Sequence, residues 1–368
     1  MRKHYVDNIR WITVLLVVFY HVIYMYNSVI TSGVIGPFSE IQYQDAIQYI
    51  LYPWFMVILF VVSGMSSRYY LENHTIKEFI AVRTRKLLVP STIGLFVFQW
   101  ILGYFNMAIS NAFAPMSDGM PKIVLYLIMS VSGTGVLWYI QMLWVFSLVL
   151  ALIRKLEKGK LYQLCGKANP IILLALAVPV WGAAQVLNTP VIVVYRFGIY
   201  GFCFLLGYFV FAHEEVVEKL SRYWHILAAA AVCLGCGYVY CYFGENYAEA
   251  PVVNSPFSVA YAWVVILAVF AVMKKWGDRS SAFAAWMTKH SFGLYVFHYL
   301  PLAAVAYWMD RNANAPALLS YLIGGVAAFA GGYLLYEIIS RIPVLRWCVL
   351  GIKKEKKKNV LREPDTAA

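Results

Sequence analysis

The sequence predicts an all-α, polytopic integral membrane protein with about ten transmembrane helices and both termini in the cytoplasm. Three observations carry that expectation. The 368 residues are 62% hydrophobic and only 13% charged, whereas soluble globular domains run at about 45–50% apolar and about 25% charged; mean hydropathy is +0.67. Ten apolar runs approach the roughly 20 residues that cross a bilayer. Finally, 27 of the 30 Lys and Arg residues fall in alternate connecting segments, the asymmetry expected of loops retained on the cytoplasmic side.

The runs cover approximately 8–29, 47–70, 87–108, 133–153, 170–187, 195–212, 225–243, 256–273, 286–308 and 317–340. No cleavable leader is expected, because the first run is too long and lacks a small-residue cleavage site. Gly133 and Gly135 interrupt the approach to the fourth run, so 122–132 reads as a separate interfacial helix. The fifth and sixth runs share a tight turn around "NTPVIVVY". With the N-terminus in the cytoplasm, only Lys122, Arg196 and Arg311 fall on the outer side. The net charge of +12 is thus topology rather than a nucleic-acid surface. The expected organisation is a single transmembrane domain, 1–345, in the cell membrane, and a basic, disordered tail, 346–368, near anionic lipid. Cys233 and Cys236 form a C-x-x-C inside an apolar run, where small residues serve helix packing; neither a metal site nor a disulfide framework is predicted.

Polar residues inside spans are functional candidates. In "DNIRWITVLLVVFYH", Arg10 and His21 are eleven residues apart, which at about 100° per residue places them within about 20° of one another and about 16 Å apart in depth. Asp7 lies within about 40° of His21 on the same stripe. Of the seven histidines, only His21 and His298 sit deep within runs. Ser291, Tyr295 and His298 form a second stripe in "KHSFGLYVFHYLPL". Ser63 and Gly64 interrupt the second run, where they permit close helix approach or leave room for a ligand. Arg83, Arg85 and Lys86 stand just before Pro90 and read either as a basic loop or as an anion clamp. Trp138, Tyr139, Gln141 and Trp144 cluster in the fourth run, and Glu337 precedes Arg341 by four residues in the last.

Taken together, "DNIRWITVLLVVFYH", "PWFMVILFVVSGM", "RTRKLLVP", "LWYIQMLW" and "SFGLYVFHYLP" resemble, in order, the acyltransferase 3 family of membrane-bound O-acyltransferases. The final "SRIPVLRWCVLGIK" is nearest its glucan-modifying, succinyltransferase-type branch. The resemblance implies acyl-CoA as a cytoplasmic donor and a sugar or glycan hydroxyl as acceptor. It maps the family's first-helix Arg and His onto Arg10 and His21. Two departures stand out. The family's Arg-x-x-Arg becomes Arg83-x-x-Lys86 with Arg85 between, and the His that commonly opens the fourth-span motif is replaced by Gly135-Val136-Leu137.

Acyl transfer from a thioester to a hydroxyl needs a base or an acyl-carrying nucleophile, a donor site and oxyanion stabilisation. On this reading His21 is base or nucleophile, with Asp7 and Arg10 on its stripe, and Tyr295 and His298 orient the acceptor or supply an oxyanion donor. Arg83, Arg85, Lys86, Ser63, Gly64, Trp138 and Tyr139 receive the donor. The competing reading is a transporter or flippase, since intramembrane His and Arg also suit proton coupling; against it stand the absence of an inverted repeat and of paired broken helices in the sequence.

Overall fold

The computed structural model describes residues 3–30, 33–113, 119–157, 159–189, 192–313 and 315–353. Every regular element among them is helical. We number the elements that matter here as α1 His4–Tyr24, α2 Tyr43–Leu71, α3 Ile76–Ile109, α4 Lys122–Ser132, α5 Gly135–Glu157, α6 Pro170–Ala184, α7 Phe197–Phe211, α8 Glu214–Ser221, α9 Trp224–Tyr242, α10 Pro256–Trp276, α11 Ala282–Phe297, α12 Tyr299–Asn312, α13 Ala317–Arg341 and α14 Pro343–Leu350.

Seven of these are long and apolar enough to cross a membrane, or up to nine if the bent pairs α7–α8 and α11–α12 each count as one span. The fifth run of the sequence forms α6, a shorter apolar helix, and the interfacial helix expected at 122–132 is α4. The start of α3 is eleven residues earlier than the hydrophobic run suggests. Thr75 and Glu78 form a reciprocal capping box that fixes the helix start at Ile76, so the basic residues 83–86 lie on a helix and not in a loop. Pro90 has no N–H for the carbonyl four residues back. The backbone meets this with a wide turn over Thr84–Leu88, in which the Val89 N–H reaches the Thr84 carbonyl.

α2 is the centre of the bundle: 78% of its apolar window is buried, against 17% for α9 and 22% for α13 at the periphery. Its closest neighbour is α7. A Cβ on Gly64 would run into the Phe204 carbonyl, and one on Gly207 into the Val61 carbonyl. These two glycines let the backbones touch, the small-residue contact that holds membrane helices together. Gly64 is therefore a packing residue here and lines no cavity.

Two faces can be distinguished. The proximal face carries the N-terminus, the end of α2 and the amphipathic α8, which turns 92° from α7 and buries Val216, Val217 and Leu220. The distal face carries the end of α1 and the segments following α3, α6 and α9. The tail departs from expectation at its start. Residues 346–350 belong to α14, which packs on α3 and buries Cys348, Val349 and Leu350; residues from 354 onward lie outside those described.

The glycine contact makes a graded prediction. Gly64→Ala and Gly207→Ala will each cost about 1–3 kcal/mol by overpacking, lowering the thermal unfolding midpoint of the detergent-solubilised protein. Gly325→Ala, where nothing lies within 4 Å, will leave the midpoint unchanged or raise it.

Candidate functional site

α1 lies against α2, α10 and α11, and its polar stripe reaches from the proximal rim into the bundle. At the rim, Arg10 Nη1 pairs with Asp7 at 3.3 Å and Nη2 donates to Ser66 Oγ at 2.5 Å. Two to three turns deeper, His21 meets His298, 277 residues away in sequence, with His298 Nε2 at 3.2 Å from His21 Nδ1.

The chain brings His298 there by a bend. Pro301 lacks an N–H and its ring would clash with the Phe297 carbonyl, so the helix cannot continue straight. α11 and α12 accordingly meet at 47°, with His298 at the corner and fully buried.

The surrounding acceptors fix both tautomers. His298 Nδ1 faces the Tyr295 and Leu294 carbonyls at 2.8 and 3.1 Å, so in the neutral ring Nδ1 carries the hydrogen and Nε2 a lone pair. His21 Nδ1 then faces two acceptors, the Val17 carbonyl at 2.8 Å and His298 Nε2. It must carry the hydrogen, which leaves His21 Nε2 as the basic nitrogen. The orienting partner that a buried histidine needs is thus His298 together with one turn of α1 backbone.

His21 borders one cavity, and a second opens at the proximal rim. The distal one, about 500 Å³, is lined by His21 and by Tyr20, Tyr24, Tyr52, Phe55, Trp138, Tyr200, Tyr295 and Tyr299, with Asn106, Ser110, Ser132, Asn246 and Glu249 towards its mouth. The proximal one, about 870 Å³, is lined by Lys3, Asp7, Arg10, Ser66, Tyr69, Tyr70, Glu72, His74, Tyr162 and His213 among others. In its wall Tyr162 is sandwiched between the Arg68 guanidinium at 3.6 Å and the His213 ring at 3.8 Å. Burial holds the His213 imidazole below its usual value, against the hydrogen bond to the Tyr162 carbonyl that raises it.

Between the cavities runs a ladder of hydroxyls on α2. Arg10 holds Ser66, and Arg83 Nη2 donates to Ser67 Oγ at 2.9 Å. Ser67 Oγ donates to the Ser63 carbonyl at 2.8 Å. Tyr139 Oη donates to the Leu59 carbonyl at 3.1 Å and so accepts from Ser63 Oγ at 2.9 Å. The Tyr139 ring lies 5.7 Å from that of Tyr295. Among the described residues no carboxylate lies within ion-pair distance of Arg83, so its charge is available at the foot of the ladder.

The structure therefore gathers His21, Tyr295 and Trp138 at the distal cavity with His298 buried behind His21, Asp7 and Arg10 at the proximal one, and Ser63, Tyr139 and Arg83 between. It does not gather Arg85 or Lys86. Arg85 is half-buried beside the chain that leaves α14, where Gly351 abuts its carbonyl, and Lys86 is exposed; neither lines a cavity. Tyr295 donates its proton to the Val136 carbonyl, within the stretch that replaces the family's fourth-span motif. Gln141 and Trp144 tie α5 to the Ser91 carbonyl and Thr84 of α3. Glu337 accepts from Arg341 at 3.1 Å and lies 3.7 Å from His290. No group of three or more His, Cys, Asp or Glu side chains among the described residues is placed to hold a metal ion.

Sequence reasoning did not identify Tyr20, Tyr52, Tyr200 and Tyr299 as lining residues, because tyrosines spread through apolar runs look like an interface belt. The available signal was a local one, Tyr20 beside His21.

The family model described as an acyltransferase domain, acyltransferase 3, matches residues 3–337 of the chain. No curated protein and no solved structure matches it.

The tautomer assignment is directly measurable. In protein selectively ¹⁵N-labelled at histidine, His21 and His298 will both show a protonated Nδ1 and an unprotonated Nε2 at neutral pH. In the His298→Ala variant the Val17 carbonyl still holds the His21 Nδ1 hydrogen, so the His21 tautomer will persist while its Nδ1 shift changes; a protonated Nε2 on His21 in either protein would contradict the assignment.

Proposed function

Because the chain belongs to the acyltransferase 3 family, and so is a multi-pass membrane acyltransferase, we propose that it moves an acyl group from cytoplasmic acyl-CoA to a hydroxyl of a glycan or related acceptor beyond the membrane. The acceptor class is taken from the resemblance of "SRIPVLRWCVLGIK" to the glucan-modifying branch. One observation carries this reading: a wired histidine borders an aromatic cavity whose described lining residues include no Lys or Arg, and its helix stripe leads through Arg10 to a charged cavity on the other face. The proximal face is taken as cytoplasmic, in keeping with the distribution of Lys and Arg.

The donor's phosphates are assigned to Arg10, Arg83 and Lys3 at the proximal side. Its pantetheine arm follows the ladder of Ser66, Ser67 and Ser63 and displaces the Ser63–Tyr139 contact to bring the thioester to His21. An acceptor sugar enters the distal cavity, whose rings suit the apolar faces of a pyranose. His21 Nε2 takes the proton of the acceptor hydroxyl, the oxygen attacks the thioester carbonyl, the C–S bond breaks, and the imidazolium returns its proton to the departing thiolate of CoA. The alternative, in which Nε2 first carries the acyl group, uses the same nitrogen and releases the same products. His298 accepts from His21 Nδ1–H and so stabilises the charge that forms on the ring.

Purified protein in lipid discs, given acyl-CoA and a glycan acceptor with no ion gradient, will release free CoA; a transporter would not. His21→Ala will reduce that release by at least about 100-fold, the usual scale of general base catalysis. Arg83→Ala will raise the KM for acyl-CoA about tenfold, roughly the loss of one charge-assisted contact. Near-wild-type turnover from folded His21→Ala protein would overturn the proposal.

A further inference from the structure

A buried chain of hydrogen-bonding side chains ends beside His21, and its direction can be followed from end to end. Asp45 is 1% exposed. One carboxylate oxygen accepts from the Ser28 backbone N–H at 3.0 Å and the Ser28 hydroxyl at 2.8 Å. The other accepts from Gln48 Nε2 at 3.1 Å. A carboxylate has only acceptors to offer, so the Gln48 amide must turn its NH₂ to Asp45 and its oxygen to Tyr247. Tyr247 Oη therefore donates to Gln48 Oε1. That commits its single proton, so at the 3.1 Å contact between Tyr247 Oη and Tyr20 Oη the donor is Tyr20. Gln48 and Tyr247 are fully buried, where an unmade hydrogen bond is costly, and the direction is held accordingly.

The geometry points to Tyr20 as a specificity residue of the distal cavity: its own proton is committed to Tyr247, so its oxygen receives a hydroxyl hydrogen from a neutral polyol and rejects a group that offers only lone pairs. The inference rests on the reading of that cavity as the acceptor site. The lining supports the class of ligand. Its described residues include no Lys or Arg, and its one carboxylate, Glu249, is engaged by Asn246 at 2.9 Å. The Tyr20 ring stands edge-on to the His21 ring with centroids 5.2 Å apart. A sugar with neighbouring hydroxyls can place one on Tyr20 and present the next to His21 Nε2. Tyr20 thereby positions the acceptor without itself moving a proton.

The test is equilibrium binding, measured by saturation-transfer NMR without donor present, of methyl β-glucoside and its four monodeoxy-monofluoro analogues. Fluorine accepts weakly and never donates. The wild type will bind the glucoside and lose about tenfold in affinity for the analogue fluorinated at the hydroxyl that meets Tyr20, a loss separate from any at the neighbouring hydroxyl on His21. Tyr20→Phe will weaken glucoside binding by a similar factor and abolish that discrimination. Tyr247→Phe frees the Tyr20 proton, so it will restore binding of the rejected analogue relative to the glucoside. Gln48→Leu will do the same through Tyr247, which then donates to Tyr20, and it serves should Tyr247→Phe not fold. Tyr20→Phe protein that keeps both affinity and discrimination, a wild type that treats all analogues alike, or no glucoside binding at all would overturn the inference. Intact discrimination without CoA release would strike the transfer reading alone; CoA release without discrimination would strike Tyr20 alone.

Discussion

Two neutral imidazoles in contact inside a lipid-spanning bundle are the constraint around which the rest of this structure is arranged. Charged groups at that depth are expensive, and an unpaired buried nitrogen is costly as well. The chain meets both conditions with backbone carbonyls. The Val17 oxygen serves His21, and the Tyr295 and Leu294 oxygens serve His298. Each histidine is thus held by the helix that carries it, and the only side-chain contact needed between the helices is the one between the rings. Pro301 is what allows this, because the bend it imposes delivers His298 to α1 at the level of His21.

The remaining polar residues divide by depth in a way that follows from cost. Full charges stay near the two rims: at the proximal one Asp7 pairs with Arg10 and Lys274 with Glu214 and Asp278, and at the distal one Asp45 is held by Ser28 and Gln48 and Arg196 by Asn254. Hydroxyls take over in the middle, with Ser66, Ser67 and Tyr139 each satisfied by a carbonyl of α2 and Ser63 by the Tyr139 hydroxyl. Aromatic rings and a few amides close the distal side. The proposed transfer uses this gradient, with the anionic head of the donor at the proximal rim and the acceptor among the distal rings.

Much of this was readable before any coordinates. The helical class, the run of spans and the stripe of Asp7, Arg10 and His21 follow from composition and from the 100° turn per residue. Other features were legible but overlooked. Thr75 and Glu78 are a recognisable helix start, and they place Arg83, Arg85 and Lys86 on a helix rather than in a loop. Pro301 announces a bend at His298. What could not be read is the meeting of residues 277 positions apart, or the link of Asp45 and Gln48 to Tyr247 and Tyr20, since periodicity reports the face of a helix and not the helix it faces. Gly64 shows the limit from the other side: the same residue type serves a ligand or a neighbouring backbone, and only the position of Phe204 decides.

That backbone contact has a mechanical consequence. With Gly64 against Phe204 and Gly207 against Val61, α2 and α7 form a single keel that cannot part without losing its tightest packing. Tyr139, whose hydroxyl meets Ser63 Oγ at 2.9 Å, belongs to α5 and not to the keel, so parting that contact requires α5 to move against a fixed beam rather than the beam to open.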